Sequence, residues 1–180
     1  EAGTKFTEAI RNLPNGTQGI VLDVRNNPGG FLEVAVDIAG HFVPRGALVV
    51  SEAERSGKNS EFKARGSEAL LNVPVVVITN QGSASAAEIL AGALRDIRSA
   101  TIVGKTSFGK GTVQEIREIP GSGGASLKLT VAEWLTPNGK RINGEGIVPD
   151  IEVEPNTDPE SDLDPLFERA LSEIRKQIKK

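Results

Sequence analysis

With 180 residues, 38% hydrophobic and 25% charged, the chain can bury a sizeable core, and its make-up is that of a soluble globular protein. A net charge of −3 without a basic stripe argues against a nucleic-acid partner, and no apolar run approaches the ~20 residues of a membrane-spanning helix. The absence of cysteine excludes disulfides, zinc–thiolate sites and cysteine nucleophiles; residue 1 is Glu, so the chain is expected to begin inside a longer gene product.

Thr4 to Leu13 sets Phe6, Ala9, Ile10 and Leu13 at helical spacing, and Pro14-Asn15-Gly16 ends the run. Gly19 to Val24 reads as a buried strand, apolar on both faces and therefore expected to have a partner on each side. Asn26 to Gly30 is a turn, and Leu32 to Phe42 a helix with Glu33, Asp37 and His41 on one polar stripe. Ala47–Val50 and Val75–Ile78 are short β-branched runs, hence buried strands, with a polar stretch and a loop signal at Ser56–Ser60 between them. A helix follows Ser85, with Ile89, Leu90, Ala93, Leu94 and Ile97 on its apolar face. Thr101–Val103 is a further strand. Thr112–Ile119 reads as an exposed strand that turns through Pro120–Gly124 into Leu127–Leu135.

Pro155–Ser161 reads as a linker, and Asp164-Pro165 as the N-cap and first residue of a last helix. The expected organisation is a core over 1–154, a linker over 155–161 and a C-terminal helix within 162–180. Strands and helices alternate through the first two thirds and strands dominate afterwards, which predicts an α/β fold with a partly parallel sheet.

Three glycine-rich turns follow strands, where α/β folds place their sites. Gly104 to Lys110 matches most of a phosphate-binding loop, but Gly111 stands where the magnesium-holding hydroxyl belongs and a strand follows where a helix is needed. Nucleotide binding is thereby excluded. His41, the single histidine, reads as an exposed helix residue, and three side chains along one helix line do not surround a metal ion. No Ser-His-Asp triad is then available.

Ser85 carries two readings. Ser85-Ala-Ala-Glu88 is a capping box, in which Glu88 reaches back to the serine amide. Equally, a serine opening a helix is placed as a nucleophile, with the Ala86 amide and the helix dipole favouring a developing oxyanion. Lacking histidine, such a serine needs another base, and a lysine serves where burial lowers its pKa. Lys110, between Gly109 and Gly111, is the candidate; a solvated loop lysine is the plainer reading.

Val77 to Ile89, Ile102-Val-Gly104 and Ser107 to Gln114, together with Val21 to Gly30, Leu135 to Lys140 and Gly146 to Asp150, resemble the carboxy-terminal processing peptidases, or tail-specific proteases. The resemblance spans about Gly3 to Glu154. It implies a ClpP/crotonase-like α/β core of sheet layers with flanking helices, and serine endopeptidase action near protein C-termini. It implies Ser85 as nucleophile, Lys110 as general base and Gln114 as the residue that orients the lysine. The oxyanion hole would combine the Ala86 amide with a glycine amide, taken as Gly30 rather than Gly29. Ala87 departs from the further serine common in the family.

No metal or cofactor is implied, and substrates would be protein or peptide chains bound in extended form. The periplasm or cell envelope, or a thylakoid lumen, is the expected location. The family carries a PDZ domain and a strand ahead of the first helix, both expected to be absent here. The open sheet edge would then favour self-association or a strand from a second polypeptide. A peptide-holding module with little or no activity is the alternative reading.

Overall fold

The computed structural model describes residues 2–158 and 160–179. Helix α1 (Ala2–Arg11) leads into strand β1 (Ile20–Asp23), helix α2 (Leu32–Ala39) and strands β2 (Leu48–Glu54), β3 (Asn59–Lys63) and β4 (Val75–Thr79). Helix α3 (Ala86–Arg98) and strand β5 (Thr101–Gly104) follow, then the ribbon of β6 (Thr112–Glu118) and β7 (Ser126–Leu135), the short β8 (Ile151–Glu152) and helix α4 (Pro165–Ile178). The expected α/β class holds: one sheet, β1-β4-β5-β8, is parallel, and the other, β3-β2-β7-β6, is antiparallel.

The parallel sheet is covered on both faces, as its crossover helices require. Along β4 the side chains alternate between these faces. Val75 and Val77 join the main core with α1, α2, α3 and the antiparallel sheet, while Val76 and Ile78 pack with Val103 against Leu166, Ala170 and Ile174 of α4. Asp164 caps α4, its carboxylate accepting the Phe167 amide at 3.1 Å, as Asp-Pro predicts. The same carboxylate pairs bidentately with Arg25 at 2.9 and 2.7 Å, pinning α4 to the end of β1. Of the expected linker, Pro159 lies outside the described residues.

Helix α3 is the central element. Every residue from Ala86 to Leu94 is buried, and its Ala- and Leu-rich sequence suits a helix enclosed on all sides. Strand β1 pairs only with β4 among the described residues, so this apolar strand forms a sheet edge.

Three differences from the sequence reading have physical causes. The stretch taken as a polar loop forms the hairpin of β2 and β3, whose polar side chains alternate on a half-solvated surface. The two-residue β8 is too short to leave a periodic signal. Helix α2 stops at Ala39, and just beyond it Gly40 lies backbone to backbone against Gly66; a Cβ on Gly40 would meet the Gly66 amide nitrogen at 2.3 Å. The chain turns there and carries His41 inward. His41 is therefore buried at 8% exposure, not exposed, with its ring nitrogens 2.8 Å from Ser67 Oγ and 3.4 Å from Thr7 Oγ1.

Candidate active site

Two loops at the C-terminal ends of β1 and β4 are stitched together. The Asn26 amide donates to Asn80 Oδ1 and the Asn80 side-chain amide donates to Asn26 Oδ1, each at 2.9 Å. The Ala84 amide then donates to the Asn27 carbonyl at 2.9 Å. These bonds lay the Asn27–Gly30 turn against the entry to α3. Gly29, at φ +100, is in closest contact: a Cβ there would stand 2.8 Å from Ser85 Cβ and 3.0 Å from the Ala86 nitrogen. Only glycine accepts both that angle and that approach.

The two serines of the α3 turn separate cleanly. Ser83 is fully buried; its hydroxyl donates to the Val24 carbonyl at 2.7 Å and accepts the Asn80 amide at 3.0 Å. That hydroxyl is committed to the turn. Ser85 is half-buried and stands at φ 56, ψ −118, a conformation that costs a non-glycine residue on the order of 1–3 kcal/mol. The capping-box pairing with Glu88 is present, its firm half being the carboxylate on the Ser85 amide at 2.7 Å. The backbone of Ser85 is thus held in a strained turn at the positive end of the α3 dipole.

The amides expected for an oxyanion hole divide in the same way. The Gly29 amide is spent on Asn27 Oδ1 at 2.9 Å. The amides of Gly30 and Ala86 have no hydrogen-bond partner among the described residues. Beside them opens a largely apolar cavity of about 280 Å³, walled by Phe31, Val34, Ile38, Ala86, Ala87 and Leu90.

Lys110 and Gln114 are less assembled. The Lys110 amide is fixed to the Glu88 carboxylate at 2.9 Å, but its side chain is exposed, so the burial expected of a lysine base is not provided by these residues. Gln114 sits on the exposed edge strand β6 opposite Thr130, and no hydrogen bond joins it to Lys110. Lys110 leaves the core at the root of the projecting β6–β7 ribbon, which explains its exposure. His41 lies with Thr7 and Ser67 and lines none of the cavity beside Gly30. Burial holds its pKa below the ordinary imidazole value, against an opposing pull from Asp37. No cluster of His, Cys, Asp and Glu suited to a metal occurs among the described residues.

A strained serine between a buried strand and a helix has the build of the nucleophile turn used by α/β hydrolases. Residues 1–153 match peptidase family S41, and the chain belongs to that family. It is 44% identical over 150 residues to the carboxy-terminal processing protease CtpB of Bacillus subtilis, covering 83% of this chain and 31% of that protein. It is 47% identical over 139 residues to the carboxyl-terminal-processing protease of Synechocystis, covering 77% of this chain and 32% of that one. Among solved structures it matches a photosystem II D1 C-terminal processing protease with a TM-score of 0.74 at 38% identity, over 85% of this chain and 38% of the other. The chain thus spans less than a third of the length of CtpB and about a third of the Synechocystis protein.

Proposed function

We propose that this chain is the catalytic core of a serine endopeptidase that cuts protein chains near their C-termini, using Ser85 and Lys110 as a dyad. The observation that carries the reading is the strained Ser85 at the start of α3, with uncommitted amides at Gly30 and Ala86 beside it. Ser85 Oγ attacks the scissile carbonyl while the Lys110 amine takes the hydroxyl proton and passes it to the leaving amine. The Gly30 and Ala86 amides receive the oxyanion. Water, deprotonated by the same lysine, then releases the acyl group. Gln114 orients Lys110 once a substrate chain lies across the cleft and covers both. The apolar cavity takes the side chain preceding the cut, favouring an aliphatic residue that its Val34, Ile38 and Leu90 walls accept. The same reading puts the enzyme's work in the periplasm or cell envelope.

The test is mass spectrometry of a peptide with an aliphatic residue near its free C-terminus, incubated with wild type, Ser85→Ala and Lys110→Ala. Cleavage by wild type alone is expected. Turnover retained in Lys110→Ala refutes the dyad. Binding without cleavage by wild type means that this chain is a peptide-holding module.

A further inference from the structure

Among the described residues Glu88 is the one buried Asp or Glu, with no exposed surface, and it makes no ion pair. Both of its oxygens are saturated by donors. Oε2 accepts the amides of Ser85 at 2.7 Å and Lys110 at 2.9 Å; Oε1 accepts the Gly109 amide at 2.6 Å and the Ser107 hydroxyl at 2.6 Å. Ser107 Oγ in turn accepts the Ile147 amide, also at 2.6 Å. A capping glutamate needs only the first of these bonds. The other three come from a loop that lies 19 to 22 residues further along the chain.

We propose that Glu88 is a positioning residue that holds the nucleophile and the base in one register. The proposal rests on the roles proposed above for Ser85 and Lys110. One oxygen binds the backbone nitrogens of both residues, so neither can shift without straining a bond to the other. The device needs an acceptor at every position, and among side chains of this length only a carboxylate supplies that. Three of the four donors are backbone N–H groups, which cannot reverse their role. A carboxamide presents one oxygen and one NH₂. Turned either way, it sets its NH₂ against at least one of these amides and pushes the loop carrying Lys110, or the turn carrying Ser85, off its seat. Aspartate keeps both oxygens but is one methylene short of spanning from α3 to the Lys110 loop.

The experiment measures kcat and KM on the cleaved peptide, and the rate of Ser85 labelling by a fluorophosphonate, for Glu88→Gln and Glu88→Asp. Asp164→Asn, which loosens α4 and touches none of these groups, controls for lost stability. Misplacing a reacting group by about an ångström costs roughly 100-fold. Both Glu88 variants are therefore expected to lose about 10- to 100-fold in kcat and in labelling rate, with KM within about 3-fold of wild type. Asp164→Asn should keep its kcat. If Glu88→Gln does not fold, Glu88→Asp decides by the same readout. Wild-type kcat in the folded fraction of the Glu88 variants, with Ser85→Ala and Lys110→Ala inactive, overturns the inference and leaves the dyad standing. Turnover by Ser85→Ala overturns both.

Discussion

Gly29→Ala probes the contact on which the whole site depends. Gly29 sits at φ +100, and an added Cβ would meet the Ala84 carbonyl oxygen at 2.8 Å, Ser85 Cβ at 2.8 Å and the Ala86 nitrogen at 3.0 Å. Two of those neighbours are backbone atoms, so the turn and the start of α3 must part by about half an ångström. Holding an L-residue at positive φ costs about 1–2 kcal/mol, and overpacking a closed site about 1–3. The variant should therefore lose roughly 2–4 kcal/mol, a large share of the ~5–15 kcal/mol that holds a domain together. The displacement also carries the Gly30 amide away from Ser85, so kcat should fall about 10- to 100-fold in the molecules that remain folded. Gly30→Ala meets nothing within 4 Å and should change stability by less than about 0.5 kcal/mol. Urea unfolding midpoints and peptide turnover measure both effects. Wild-type stability and turnover in Gly29→Ala would show that the loop does not rest on the Ser85 turn as described.

Ser83→Ala removes a buried hydroxyl that ties the residue after β1, Val24, to the turn, and should cost about 1–3 kcal/mol in thermal unfolding. Ser85→Ala should abolish turnover with less loss of stability; the reverse pattern would mean that the wrong hydroxyl has been chosen. Arg25 holds the Asp164 carboxylate below its usual range, first through their hydrogen bonds. That contribution is fully present above the ordinary carboxylate pKa of about 3.9 and fades as pH falls through the lower folded value. The stability gap between wild type and Asp164→Asn, read by urea unfolding from about pH 6 to pH 2, should shrink below about pH 4; a gap that does not change with pH contradicts this. The edge of β1 that has no partner strand among the described residues should recruit a further strand, so light scattering should show a mass that rises with concentration. A monomer at every concentration speaks against strand addition there.

Much of this protein was legible before any fold was drawn, because local chemistry is read locally. Alternation and helical spacing located β1, β4, β5, α3 and α4, and Asp164-Pro165 marked the start of the last helix to the residue. Ser85 and Lys110 could be picked out as candidates because each sits in a glycine- or alanine-rich turn beside a strand. What no window of sequence contained was the set of contacts between residues far apart in the chain. Val24 claims the hydroxyl of Ser83 across 59 positions, which a reading of Gly82–Ser85 alone could not foresee. Gly40 packs against Gly66, and the next residue, His41, is buried although its polar stripe argued for solvent. Glu88 looked like half of a helix cap until the Lys110 loop folded onto its carboxylate. Lys110 is exposed, in line with the plainer reading of a loop lysine, because its side chain stands at the root of an exposed ribbon. Helix and strand follow from backbone geometry within a few residues, whereas burial and hydrogen-bond partners depend on which distant segment closes over each group.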